Sequence, residues 1–303
     1  MRPPDATLAD QFQPLRPGLI RLAYRMLGSM AEAEDVVQDA YIRWHQTDRS
    51  AIRQPAAFLS RTVTRLCLDI LKSARRRRET YVGPWLPEPV LEPDAEEAGE
   101  DLSLTLMMAL ERLSPLERAA FLLHDVFGLG FDEVAATLDR EPAACRQLAA
   151  RARRNVRAAR PRYAVAPDEG RRMADAFATA SRSGDLTALR RLLSDEVVAY
   201  TDGGGTRNAA LNPLFGFRRV SGLFMGIARK TDFRMPPVLY RGLINGLPGF
   251  VTLEQDGLPQ TTALEIRDGR IVGIYVVRNP EKLRHLAALA GANGREGNAP
   301  HKE

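Results

Sequence analysis

The 303-residue chain spaces its arginines where they could read a nucleic acid. From Arg146 to Arg162 it carries seven Arg and no acid. On a helix, Cys145, Leu148, Ala149 and Ala152 fall at i, i+3, i+4 and i+7 and form the buried face. Arg146, Gln147 and Arg151 then face outward, with Arg153, Arg154 and Arg157 continuing the charge. Arg and Gln at the start of such a helix can pair with guanine and adenine edges, and the later cations suit phosphates. A second basic set, Arg61, Arg65 and Lys72, runs into Arg75, Arg76, Arg77 and Arg78 and suits a phosphate backbone. The plain alternative for both sets is a solvated basic face. Residues 31–40 have the opposite character, with four acids and no base, among them Glu34, Asp35 and Asp39 beside Gln38. Acids early in a helix favour its macrodipole, but this face repels DNA, so a protein partner is the sharper reading.

Other chemistry is sparse. Cys67 and Cys145 lie far apart, which excludes a disulfide framework and any CxxC metal or redox site. Both sit among apolar neighbours at helical spacing and read as core. The histidines are His45, His124, His285 and His301, so none lies between residues 168 and 284. Acid–base work there would fall to Asp202, Asp232 or Asp256, yet three glycines follow Asp202 and make it a turn residue. No catalytic residue, no metal and no cofactor is expected.

Charge divides the chain. The formal net charge is +5, and the 43 basic residues are 39 Arg and 4 Lys, a bias that a GC-rich genome also produces. Residues 1–80 carry +5, 81–103 carry −7 with no basic residue, 104–166 carry +3 and 167–303 carry +4. The acidic block holds Pro84, Pro87, Pro89 and Pro93 and reads as an extended linker. Met1 to Asp5 lacks a signal-peptide core, and no run reaches the ~20 apolar residues of a membrane span. A cytoplasmic protein with no membrane partner is expected.

The elements that position these groups follow from apolar spacing. Leu19, Leu22, Ala23 and Met26 predict one helix, and Val36, Val37, Ala40 and Tyr41 a second, separated by Gly28-Ser29. A third runs from Pro55 with a stripe of Leu59, Val63, Leu66 and Ile70. Ser114-Pro115-Leu116-Glu117 is a capping box with Pro at the first helical position, and its helix stops at Gly128. Helices over 132–138 and 142–157, joined by a turn at Asp139-Arg140-Glu141, predict a helix-turn-helix. Beyond Pro167, two helices (168–181, 185–193), a strand at 197–200 and a helix over 214–228 are expected. Strands 250–254, 261–267 and 270–277 follow, with Asp256-Gly257 and Asp268-Gly269 making an antiparallel meander. Asn279 caps a last helix. This part is an α+β domain with one curved sheet.

The segment Ala33-Glu34-Asp35-Val36-Val37-Gln38-Asp39-Ala40-Tyr41, with Trp44, resembles the core-polymerase-binding helix of bacterial sigma factors of the extracytoplasmic function (ECF) group. Phe58 to Arg78 resembles the element that melts and reads the −10 promoter region, and Leu113 to Arg154 the domain that reads the −35 element. The likeness is collinear over residues 10–163. Three short motifs resemble those of the ECF subgroup with a SnoaL-like C-terminal domain: Trp85-Leu86-Pro87-Glu88-Pro89, Asp202-Gly203-Gly204-Gly205, and Asn279-Pro280-Glu281-Lys282-Leu283. The chain departs from them in Thr206, where Lys is usual, and in Glu281, where Asp is. The first departure removes any salt bridge that lysine would make, unless Arg207 substitutes.

The resemblance implies two all-α sigma domains, the second with a helix-turn-helix, followed by an α+β SnoaL-like (NTF2-like) cone domain. Its divisions would be a region 2 domain at 1–80, a linker at 81–103, a region 4 domain at 104–164, a SnoaL-like regulatory domain at 168–290 and a flexible tail at 291–303. It implies that Glu34, Asp35, Gln38 and Asp39 contact core RNA polymerase. Arg61, Arg65, Lys72 and Arg75 to Arg78 would engage the −10 region, and Arg146, Gln147, Arg151, Arg153 and Arg154 the −35 element. Trp85, Pro87, Glu88, Pro89, Asp202, Gly203, Gly204, Gly205, Asn279, Pro280 and Lys282 would form a regulatory interface within the chain. That interface would stand in place of a separate anti-sigma factor, and the cone could hold a small-molecule ligand. Two rivals compete with a sigma factor: a one-component helix-turn-helix regulator with a ligand-binding domain, and a DNA-binding module fused to a SnoaL-like enzyme.

Overall fold

The computed structural model describes residues 11–47, 52, 54–79, 81–92, 104–157 and 165–289, with backbone alone at 73–79 and 157. The side chains of Arg75 to Arg78, the acids of 93–103, Arg162 and the tail 291–303 lie outside the described residues. Contacts gather the chain into two bodies. One is Met1–Thr80 with Thr105–Arg160, and the other is Tyr81–Leu104 with Pro161–Glu303.

The first body is helical. Helices α1 (Arg16–Leu27), α2 (Met30–Gln46) and α3 (Pro55–Glu79) begin it. Gly28, at φ 75°, ends α1, and the Ser29 side chain caps α2 by accepting the Glu32 N–H at 3.3 Å. Leu22, Met26, Val36, Val37, Trp44, Leu59 and Val63 are buried together. On α3 the buried stripe continues through Cys67 and Leu71, while Leu66 and Ile70 are half-buried. The expected stripe is thus rotated, because α3 packs against later helices of the same body as well as against α1 and α2.

Those later helices are α4 (Leu104–Glu111), α5 (Pro115–Phe121), α6 (Phe131–Leu138) and α7 (Pro142–Arg157). The capping box of α5 is complete: Ser114 Oγ accepts from the Glu117 N–H, and Glu117 Oε2 accepts from the Ser114 N–H at 3.1 Å. A π turn over Leu122–Val126 extends α5. Asp139, at φ 54°, turns α6 into α7, whose buried side is Cys145, Ala149, Ala152 and Val156. Burial pushes the pKa of both cysteine thiols up, as inert core residues require.

The second body lays α8 (Pro167–Ser183), α9 (Leu186–Leu192) and α10 (Phe217–Lys230) against a seven-stranded sheet. Its strands are β1 (Leu91–Glu92), β2 (Leu193–Asp202), β3 (Leu214–Phe215), β4 (Val238–Ile244), β5 (Leu247–Leu253), β6 (Pro259–Arg267) and β7 (Arg270–Val277), in the order β1-β4-β5-β6-β7-β2-β3. All neighbours are antiparallel except β2 and β7, which are parallel. Phe177, Leu189, Val197, Ala199, Phe224, Phe250, Leu264 and Ile274 form its core between sheet and helices. The fold class is as expected in its architecture: helical segments followed by an α+β domain built on one sheet.

Four local expectations are corrected. The meander has four strands, because β4 precedes the three expected ones. The helix expected from Leu214 begins at Phe217, after the short edge strand β3. The last helix is a 3₁₀ helix, Pro280–Leu286, capped by Asn279 as expected. The linker is more than a spacer, since Leu91 and Glu92 pair with Ile244 and Leu243 as a strand of the sheet. Among the described residues no helix is long and apolar enough to cross a membrane.

Candidate functional site

In the first body, α2 presents Glu34, Asp35, Gln38 and Asp39 to solvent, while Ala33, Val36, Val37 and Ala40 are buried behind them. Positions i, i+1, i+4 and i+5 make one stripe of a helix. Ile42, one turn on from Gln38 and 44% exposed, extends it with an apolar contact point that charge patterning alone did not single out. A stripe of acids ending in an exposed aliphatic side chain suits a protein surface.

On α3, Arg61, Arg65 and Lys72 are exposed, as a nucleic-acid face requires. They are not equally free. Lys72 pairs with Asp69 at 2.9 Å. Arg65 donates from Nε to the Thr137 carbonyl at 3.3 Å and from Nη2 to the Ala136 carbonyl at 3.4 Å. These are carbonyls of the last turn of α6, where a cation satisfies both unpaired acceptors and dipole. A second arginine does the same for α1. The Arg118 guanidinium, 2% exposed, donates to the Met26 carbonyl at 2.6 Å and pairs with Glu111 at 2.8 Å. Neither attachment was legible beforehand, because each joins residues far apart in sequence.

On α7, Arg146, Gln147, Arg151 and Arg154 are exposed. Arg146 also lies over the Phe131 ring of α6, at 5.6 Å from its centroid, which orients the start of α7. Arg153 is half-buried and pairs with Asp125 at 2.6 Å, so its charge is partly spent inside the helix-turn-helix.

In the second body the three motifs meet at one carboxylate. Asp202, at the end of β2, is fully buried. Its Oδ2 accepts from the Leu86 N–H at 2.9 Å and from Lys282 Nζ at 2.7 Å. Its Oδ1 accepts from the Tyr81 hydroxyl at 2.5 Å and from the Gly204 N–H at 3.1 Å. Four donors satisfy its two oxygens, which answers what a buried carboxyl group needs. Lys282 also donates to the Leu86 carbonyl and lies 4.0 Å from the Trp85 ring centroid and 5.0 Å from that of Tyr81. Asn279 donates from Nδ2 to the Tyr81 oxygen at 2.9 Å while capping the 3₁₀ helix through Oδ1. Burial first, then the Asp202 carboxylate, raises the Tyr81 pKa, so the phenol stays protonated and donating.

The glycines fit by lacking a side chain. Gly204 has φ +61°, and a Cβ there would stand 2.4 Å from Asn279. A Cβ on Gly203 would stand 2.1 Å from the Arg207 carbonyl oxygen. Arg207 does not substitute for the missing lysine at the linker. It pairs with Asp256 at 2.7 Å, whereas Lys282 is the partner of Asp202.

The rest of the linker follows the same body. Leu86, Pro87, Glu88 and Pro89 are buried. His285 Nε2 lies 2.8 Å from the Pro89 carbonyl, and its Nδ1 lies 3.3 Å from Glu88. Val90 N–H donates to Asn245 Oδ1 at 3.1 Å, and the Tyr240 hydroxyl donates to the Glu92 carbonyl. Burial raises the pKa of the Glu92 carboxyl, with a hydrogen bond from the Gly246 backbone partly offsetting it. Thus Trp85, Asp202, Gly204, Asn279 and Lys282 of the expected interface meet with Tyr81 in one cluster, and His285 contacts Glu88 and Pro89. Among the described residues there is no group of His, Cys, Asp and Glu that could hold a metal ion.

Comparison with known proteins agrees with this geometry. Residues 11–77 match the model of Sigma-70 region 2, and residues 103–156 that of Sigma-70, region 4. The ECF RNA polymerase sigma factor SigJ of Mycobacterium tuberculosis is 38% identical over 293 residues, 90% of this chain and 92% of the relative. The probable ECF RNA polymerase sigma factor SigI of the same species is 32% identical over 280 residues, 90% of this chain and 93% of the relative. The crystal structure of M. tuberculosis SigJ superposes with a TM-score of 0.73 at 34% identity, covering 90% of this chain and 97% of that one. Full-length likeness and both helical modules leave neither rival reading favoured, and the chain belongs to the ECF RNA polymerase sigma factors, which direct promoter-specific initiation of transcription.

Proposed function

We propose that this sigma factor is regulated in cis, its C-terminal body gripping the linker between its two sigma segments. The observation that carries the reading is the Asp202 carboxylate, which takes donors from the linker (Tyr81, Leu86), from its own glycine turn (Gly204) and from the last motif (Lys282). A linker held along residues 81–92 restricts how far the segments on either side can move, and release of the grip would free them. In this reading residues 1–80 work as the core-polymerase and −10 domain, 104–164 as the −35 domain and 168–290 as the regulator.

Within that division Glu34, Asp35, Gln38 and Asp39 bind polymerase. Arg61, Arg65 and Lys72, with Arg75 to Arg78, engage the −10 element, and Arg146, Gln147, Arg151, Arg153 and Arg154 serve the −35 element. The regulator acts by contact and not by catalysis, since Asp202 is committed to four donors and has no histidine partner. It works in the cytoplasm without a separate anti-sigma factor. In vitro transcription with core polymerase tests the reading: Asp202→Ala or Asn279→Ala should change promoter output while core binding persists. Unchanged output from both variants would remove the regulatory role and leave the sigma activity standing.

A further inference from the structure

The second body carries a basic face that the sigma segments do not account for. Helix α10 has no acidic residue, and Arg218, Arg219, Arg229 and Lys230 are exposed on it. From Arg218 to Arg229 the helix advances eleven residues, about 16 Å, and returns to within ~20° of the same direction. Between them Gly222 and Gly226 face solvent, and a Cβ at either would meet nothing within 4 Å. Glycine inside a helix costs about 1 kcal/mol relative to alanine, and nothing inside this body requires it at these two positions.

The face continues past the start of α10. Arg190, on α9, lies over the ring of Phe217, the first residue of α10, at 4.7 Å from its centroid. With Arg191 and Arg270 it lines a surface pocket of ≈ 530 Å³, whose wall includes Ser194, with a buried hydroxyl oxygen that has no hydrogen-bond partner. Arg270 is fixed there by donating to the Arg190 and Leu193 carbonyls at 3.0 and 3.2 Å. The acids near this face include Asp195, which also lines the pocket and pairs with Arg190, and the adjoining Glu196. The others are the exposed Asp268, two residues before Arg270, and the exposed Asp232, two residues after Lys230. Cations at both ends of a helix, a stripe without side chains between them and a pocket rich in arginine complement a polyanion with regularly spaced charges.

We propose that this face binds the phosphate backbone of duplex DNA, giving the C-terminal body a direct, sequence-independent hold on the promoter. The glycine stripe lets the strand approach the helix closely, as small residues do wherever a backbone or a phosphate must come near. Backbone contacts of this kind set affinity and salt dependence and leave sequence choice to α7. The role is independent of the linker grip.

The test uses the full chain in holoenzyme on a promoter duplex, with affinity measured across a salt series. Removing four phosphate contacts with Arg218→Gln, Arg219→Gln, Arg229→Gln and Lys230→Gln together should reduce the slope of log K against log [salt] by ~3–4. Affinity at physiological salt should fall by at least tenfold. Gly222→Glu with Gly226→Glu, which meets no neighbour and so spares the fold, should act in the same direction. Arg171→Gln with Arg172→Gln, exposed on α8, lowers net charge elsewhere and should leave the slope unchanged. An unaltered slope in the quadruple variant overturns the proposal, as does an equal effect from the α8 pair. Concentration-dependent dimerisation of the wild type, lost in the Gly222→Glu and Gly226→Glu variant while the slope stays fixed, would assign the face to a second copy and overturn it as well.

Discussion

The ammonium of Lys282 stands 2.7 Å from the buried carboxylate of Asp202, across 80 positions of sequence, and the Leu86 N–H shares the same oxygen. One ion pair therefore closes the sheet domain and fastens the linker at once. Asp202 has no exposed surface and the Lys282 side chain is 13% exposed, so solvent does little to screen the pair.

Removing the carboxylate should be costly. Asp202→Ala strands the Lys282 charge and three further donors, and breaking a buried pair in this way costs about 3–5 kcal/mol. The chain has two tryptophans, Trp44 in the first body and Trp85 in the second. In a Trp44→Phe background, Trp85 fluorescence during denaturant unfolding should report that loss, and an unshifted midpoint would refute it.

Gly204 gives a sharper test of the glycine turn. Gly204→Ala places a Cβ 2.4 Å from Asn279 on a backbone at φ +61°. Left-handed strain and overpacking together should cost about 2–4 kcal/mol. Amide exchange at Leu86 should accelerate in proportion, because its acceptor Asp202 sits at the edge of the same turn.

The linker strand should dock better as pH falls. Burial raises the Glu92 carboxyl above its ordinary value, so the docked state binds the proton more tightly than the free linker does. Its contribution to docking is full below about pH 4.3, the ordinary Glu value, and is lost as pH rises through the docked value. Glu92→Gln, which cannot ionise, should slow exchange of the Val90 amide at neutral pH and flatten its pH dependence over this window. Faster exchange in the variant would refute the assignment.

The first body offers its own latch. Arg118→Ala deletes the donor to the Met26 carbonyl and leaves Glu111 without that partner. The loss should be about 3–5 kcal/mol, read from Trp44 fluorescence in a Trp85→Phe background.

On α7, Arg146 and Gln147 are the exposed residues nearest its start that can pair with bases. Alanine at either should relax discrimination at one base pair of the −35 element by about 1–3 kcal/mol. Alanine at Arg154 should instead weaken all sequences alike, and a binding selection on randomised −35 elements separates the two outcomes.

Helices were legible wherever one face was apolar or a cap was explicit, as at Ser114 to Glu117. Hairpins were legible where Asp-Gly marked them. Strand β4 escaped because Val238–Ile244 lacks clean alternation and contains Gly242, although Asn245-Gly246, with φ of 48° and 72°, was a readable turn signal after it. Strand β1 could not be read from two residues, since only pairing with β4 makes them a strand. The motifs pointed to Asp202, Asn279 and Trp85. They did not reveal that Tyr81 would join them, or that Arg65 would hold the end of α6, because a long side chain's partner is chosen by tertiary structure.

The pairing of β1 with β4 also fixes an order of events in synthesis. The segment 81–92 leaves the ribosome before α4 to α7 and well before β4, so its sheet partner does not yet exist. The second body closes only after the intervening helices and most of the sheet have been made. Those helices then sit in a loop whose two ends are anchored in the same fold. Closing a loop of this length carries an entropic cost that rises only slowly with further residues, whereas its long sequence separations slow folding. The pairing of the linker strand with β4 is therefore among the last contacts to form during biosynthesis, and a nascent or truncated chain lacking β4 has no sheet partner for β1.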